Sequence, residues 1–174
     1  RGTYTENVTV AGTYIHNLLL HAEMRDAVTL SGNFATGGGS GVLFMRNLTV
    51  TGTTLFASNS EVHGDGCYFT GSVSGDFIDS SFHQCQFAAG YDCADATHAP
   101  NGVTFSDCQI DGSCVWSGSS LTEIYFVNCI FASAATVSCT GATLDEVVFS
   151  GCVLPADFFL FNAAGASFEG LIFS

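Results

Sequence analysis

Val103-Thr104-Phe105-Ser106-Asp107-Cys108-Gln109-Ile110 is a phrase that this chain repeats. It returns as Ile124-Tyr125-Phe126-Val127-Asn128-Cys129-Ile130-Phe131 and again as Val147-Val148-Phe149-Ser150-Gly151-Cys152-Val153-Leu154. Looser copies surround Cys67-Tyr68-Phe69 and Phe82-His83-Gln84-Cys85-Gln86-Phe87. Toward the N-terminus, Val8-Thr9-Val10, Val28-Thr29-Leu30 and Leu48-Thr49-Val50 have the same shape. Apolar residues alternate with small or polar ones, and this period of two predicts a strand with one buried face. A Gly, Asn or Asp usually follows, a residue type that tolerates left-handed backbone angles and so predicts a tight bend.

Taking Thr13, Asn33, Thr53, Cys67, Cys85, Cys108, Cys129 and Cys152 as one register, the spacings are 20, 20, 14, 18, 23, 21 and 23. A strand, a bend and a variable arc in each unit describe one coil of a parallel β-solenoid. Such a coil cannot bury its apolar face alone, but stacked copies make a continuous core. The reading is therefore all-β, a single domain over residues 1–174 with about eight to nine coils and a period of about 20–23 residues. A square coil of strict five-residue repeats is the other architecture considered, and the irregular spacing disfavours it.

The repeat pattern resembles the right-handed parallel β-helix superfamily, the architecture of pectate lyases and many phage tailspikes. The resemblance covers nearly the whole chain and rests on the repeat, without a catalytic motif. It implies the fold and says almost nothing about activity.

Composition narrows the function classes. Of 174 residues, 16 are acidic, three are arginine and none is lysine, giving a net charge of −13. That charge repels phosphate backbones and excludes nucleic-acid binding through a basic face. An apolar fraction of 47% with sixteen Phe fills a real core and excludes disorder. There is no membrane-length apolar run. The sequence opens at Arg1 without an initiator Met, so it reads as a processed product or a piece of a longer chain. Asn7-Val8-Thr9 and Asn47-Leu48-Thr49 are glycosylation sequons, consistent with an extracellular, virion-surface or cell-surface setting.

Cys67, Cys85, Cys108, Cys129 and Cys152 fall in one column, and Cys93, Cys114 and Cys139 suggest a second. No C-x-x-C occurs, which argues against zinc ribbons and thioredoxin chemistry. Two states stay open for the column: a ladder of buried thiols, or one or more disulfides between stacked coils about 4.8 Å apart.

The outward positions fall into three zones. The first is a Thr/Ser ladder over the early coils. In the second, His63 and Asp65 share a strand face, with Ser81 placed beside His63 and His83 beside Asp65. Two imidazoles and a carboxylate so placed suit a divalent ion such as Ca or Zn, or an acid/base pair; otherwise they form a solvated polar patch. No resident cofactor is expected beyond such an ion. In the third zone Tyr125, Val127, Val148 and Ile172 make the outer face of the last coils apolar, near Phe158-Phe159-Leu160-Phe161. Of this run, Phe159 and Phe161 join the candidate interface, because contiguous exposed apolar surface marks a contact with a partner or with a covering arc.

Leu171-Ile172-Phe173-Ser174 copies Val147-Val148-Phe149-Ser150 and stops before the bend, which predicts an uncapped coil able to join a second molecule head to tail. These features point to a secreted, non-catalytic structural subunit assembling with itself into a filament, sheath or spike. The other class is a glycan-binding or glycan-cleaving β-helix, with Trp116, Tyr125, His63, Asp65 and His83 as sugar contacts. Lyase activity is disfavoured because no lysine is present to meet an acidic sugar.

Overall fold

The computed structural model describes residues 2–10, 18–23, 28–36, 41–92, 101–116, 120–133, 135–138, 140–156, 158 and 167–174. Within them the fold is a parallel β-solenoid with three strands per turn and no helix. Sheet A stacks Gly2–Tyr4, Val28–Leu30, Leu48–Val50, Tyr68–Phe69, Gln86–Phe87, Gln109–Ile110 and Ile130–Phe131. Sheet B stacks Val8–Val10, Phe34–Thr36, the start of the long strand Thr54–Asp65, Val73–Phe77, Tyr91–Asp92, Cys114–Val115 and Val137–Ser138. Sheet C takes Leu18–His21, Val42–Arg46, the end of Thr54–Asp65, Ser81–His83, Asn101–Ser106, Ser120–Val127 and Thr143–Ser150. Leu171–Phe173 then pairs with the last of these.

Seven strands along sheet A correspond to about six full turns, fewer than the eight to nine coils expected. The physical reason lies in the register. Asn33 and Thr53 stand at the corner between sheets A and B, where the Thr53 amide donates to Asn33 Oδ1 at 3.0 Å. The cysteines stand at the corner between sheets C and A. The short step of 14 residues from Thr53 to Cys67 is thus less than one turn, and it counts two corners of the same coil as two coils.

The C-to-A corner is built by a column of left-handed residues: Asn47, Gly66, Gln84, Asp107, Asn128 and Gly151, all with φ between 51° and 62°. Four of these are not glycine, and each such residue carries an intrinsic penalty of about 1–2 kcal/mol. Backbone bonds hold the corner against that penalty. The amides of Asn47, Gly66, Gln84, Asp107 and Asn128 donate to Asp65, His83, Ser106, Val127 and Ser150 of the next turn at 2.8–3.0 Å.

Inward residues of sheet C make the spine of the core. Phe82, Phe105, Phe126, Phe149 and Phe173 stack in succession, with centroids 4.9–5.3 Å apart and interplanar angles of 9–13°. That spacing is the coil repeat itself, so each ring lies face to face on the next. Gly64 takes the place of a side chain one turn before Phe82, because a Cβ there would sit 2.8 Å from the Phe82 ring. At the A-to-B corner Gly32, Gly52 and Gly71 follow one another. A Cβ on Gly52 would lie 2.4 Å from the Gly32 carbonyl oxygen, and one on Gly71 2.3 Å from that of Gly52.

Candidate functional site

The outward side chains of sheet C form two parallel columns. In register, Leu19, Phe44, His63, Ser81, Thr104, Tyr125, Val148 and Ile172 make one. The other is His21, Arg46, Asp65, His83, Ser106, Val127 and Ser150. Ser81 therefore stands beside His63 and His83 beside Asp65, as strand alternation requires. Where the columns turn polar they enclose a concavity of about 300 Å³, lined by Leu19, Phe44, Met45, Arg46, His63, Gly64, Asp65, Ser81 and His83.

Two hydrogen-bonded sets meet in it. His63 is flanked on both ring nitrogens: Nδ1 lies 2.7 Å from Ser81 Oγ and Nε2 3.0 Å from Glu61 Oε1. Its imidazole stacks on the Phe44 ring at 5.0 Å and 26°. His83 lies 3.2 Å through Nδ1 from Asp65 Oδ1 and 3.5 Å through Nε2 from Asp107 Oδ2. Asp65 also takes Arg46 Nε at 3.1 Å. The cluster of His63, Asp65 and His83 is thereby divided: His63 turns to Ser81 and Glu61, while Asp65 and His83 turn to each other. Among the described residues no group of three or more His, Cys, Asp or Glu side chains is arranged to hold a metal ion.

No family model, curated protein or solved structure matches this chain. The chemistry must be read from the side chains themselves.

Glu61, Phe44, Arg46 and Asp107 complete the site, and the alternation alone did not single them out. Glu61 had a signal, since it sits two residues before His63 on the same strand face. Phe44 and Arg46 become neighbours only once Asn47, rather than Gly52, is placed in the bend column before Gly66. Asp107 reaches His83 from the bend itself.

The cysteines lie elsewhere. Each of Cys67, Cys85, Cys108, Cys129 and Cys152 follows a left-handed corner residue on successive turns; Leu48 holds that place one turn earlier. All five carry unoxidised thiols, buried except Cys152, which is half-buried. The thiols of Cys108, Cys129 and Cys152 donate to the carbonyls of Phe82, Phe105 and Phe126 at 3.3 Å. The neighbouring Cys108 and Cys67 thiols, with burial, push the Cys85 thiol well up. Cys129 is pushed up to about 12, first by Cys108. Cys114 does not belong to a second cysteine column: its strand neighbour is Val137, and the register carries Tyr91 to its other side. Cys93 and Cys139 lie outside the described residues.

Ile172 is 49% exposed, and Tyr125, Val127 and Val148 are half-buried. Phe158 turns inward against Phe131 and Phe149. Phe159 and Phe161 lie outside the described residues. Trp116 is 1% exposed and stacked on Phe126, so it cannot meet a sugar. Asn7 is exposed, and its Oδ1 accepts from the Asn33 amide. Asn47 Nδ2, the nitrogen a glycan would take, donates to the Ala22 carbonyl at 3.1 Å. The Thr ladder is not one surface: Thr9 lies on sheet B, whereas Thr29 and Thr49 pair on sheet A.

Proposed function

We propose that this chain is a structural subunit of the extracellular or virion/cell-surface kind, one that assembles with copies of itself into a filament, sheath or spike. The carrying observation is the strip of Tyr125, Val148 and Ile172 on consecutive turns of sheet C, with Val127 beside it, while the middle of the same face is polar. At about 4.8 Å per turn the strip is a flat apolar edge suited to a second copy of the same surface. Kinship with the right-handed pectate-lyase-like and tailspike-like β-helices belongs to this proposal and fits a surface role.

Identical chains of charge −13 repel one another, so the joint must be apolar in character. Added salt then strengthens assembly by screening. The test is sedimentation velocity with negative-stain microscopy, repeated after dilution to nanomolar concentration. Persistent oligomers that the Val148→Asp/Ile172→Asp double variant dissolves support the proposal. Monomers at every concentration and salt refute it.

The concavity over sheet C favours a second reading, a β-helix that binds or cleaves glycans. Phe44 offers a ring face, and Arg46, Asp65 and His83 offer polar contacts. Glycan-array binding lost in Asp65→Asn and His83→Gln would support this reading; an array blank with the native protein would remove it.

A further inference from the structure

We infer that Ser81, His63 and Glu61 form a nucleophilic relay that cleaves short acyl esters, independently of whether the chain assembles. The tautomer follows from the partners. A carboxylate can only accept a hydrogen bond, so with Nε2 3.0 Å from Glu61 Oε1 the neutral imidazole carries its proton on Nε2. Nδ1 is then a bare lone pair, and it faces Ser81 Oγ at 2.7 Å, where it accepts the hydroxyl proton. A hydroxyl on a base, with the base oriented by a carboxylate, is the arrangement that activates serine, and it is recognised by geometry rather than by sequence order.

The surroundings serve the same chemistry. The Phe44 ring stacked at 5.0 Å fixes the imidazole plane. Leu19 and Phe44 give the concavity of about 300 Å³ an apolar side, large enough for a short acyl chain. Arg46 lines the same space with its charge paired to Asp65 at 3.1 Å. His83 cannot play the part of His63, because both its nitrogens face carboxylates, Asp65 and Asp107.

In the first step Ser81 Oγ bonds to the ester carbonyl carbon while its proton passes to His63 Nδ1. The carbon–alkoxy bond then breaks, and His63 returns that proton to the departing alcohol. In the second step His63 takes a proton from water as the hydroxide adds to the acyl carbon. The acyl–Oγ bond breaks, Oγ recovers the proton, and a carboxylic acid leaves. Water and ester are consumed, acid and alcohol are formed, and no cofactor or redox partner is needed.

The test is covalent labelling of the full chain with a fluorophosphonate, mapped by peptide mass spectrometry, alongside p-nitrophenyl acetate hydrolysis. One adduct is expected on Ser81, absent in Ser81→Ala and His63→Gln and retained in Ser150→Ala, an outward serine on the same sheet whose strand neighbour is Val127. Hydrolysis is expected to fall by at least about 100-fold in His63→Gln, the lower range for a positioned general base. His63 and Ser81 point outward, so far-UV circular dichroism should be unchanged in these variants. An unlabelled native protein, an adduct on another residue, or labelling of Ser81 that survives His63→Gln overturns the inference.

Discussion

Replacing Gly52 by alanine should be among the costliest single-methyl additions this fold can suffer. The new Cβ would stand 2.4 Å from the Gly32 carbonyl oxygen and 2.5 Å from its carbon. An ordinary carbon–oxygen contact is no closer than about 3.3 Å, so the intrusion is about 0.9 Å. The obstacle is backbone, which cannot rotate away as a side chain can. The same carbonyl accepts the Gly52 amide at 3.1 Å, so moving it also weakens a ladder bond. Overpacking of this kind costs about 1–3 kcal/mol and a lost bond about 1 more, which gives a loss of about 2–4 kcal/mol. Gly141 is the internal control: its φ is +68°, but nothing lies within 4 Å of its Cβ position. Gly141→Ala therefore suffers only the left-handed penalty of about 1–2 kcal/mol, partly offset by a stiffer unfolded chain. Urea unfolding followed by far-UV circular dichroism compares the two. If Gly52→Ala is as stable as the native chain, or loses less than Gly141→Ala, then steric contact between coil backbones does not explain the glycine column.

Phe126→Ala removes a ring that touches Phe105, Trp116, Phe131 and Phe149 at 4.9–5.9 Å, and it should cost about 3–5 kcal/mol in the same assay. The Tyr125 phenol, donating to Glu146, is pushed up to about 12, so a late step in phenolate absorbance near that pH should be missing in Tyr125→Phe and move downward in Glu146→Gln. Because the folded value is the higher one, the stabilisation from this contact is complete below the ordinary tyrosine range of about 10 and is lost as pH climbs through about 12. Burial pushes the Cys114 thiol up to about 12, so it should resist alkylation at pH 8 in the folded chain and react once guanidinium unfolds it. Early alkylation of Cys114 in native buffer would contradict its burial.

Sheet C was legible because its strands are long enough to show alternation, as in Ser120–Val127 and Thr143–Ser150. Sheets A and B were legible only in early strands such as Val8–Val10, Val28–Leu30 and Leu48–Val50, since later ones such as Gln86–Phe87 and Cys114–Val115 have two residues and cannot display a period. Two corners with similar residues were then merged, Asn33 and Thr53 with the cysteines, and the early coils slipped out of register. The pairing of His63 with Ser81 survived because both lie after the slip. Phe44 and Arg46 lie before it, so half of the concavity was invisible. The inward turn of Phe158 had no periodic signal at all: it depends on the gap between Phe131 and Phe149, a property of two other turns.

The left-handed corner has a consequence for how such a chain can change length. Ser106 precedes Asp107 at φ 52°, and Val127 precedes Asn128 at φ 53°, so the backbone leaves sheet C in the same direction at both. Excising residues 107 to 127 would join Ser106 directly to Asn128 at an equivalent corner and bring Phe105 onto Phe149 in the ring stack. Duplicating the same segment would insert one turn. These corners are splice points, at which recombination can add or delete a whole storey while every other storey keeps its neighbours and its register.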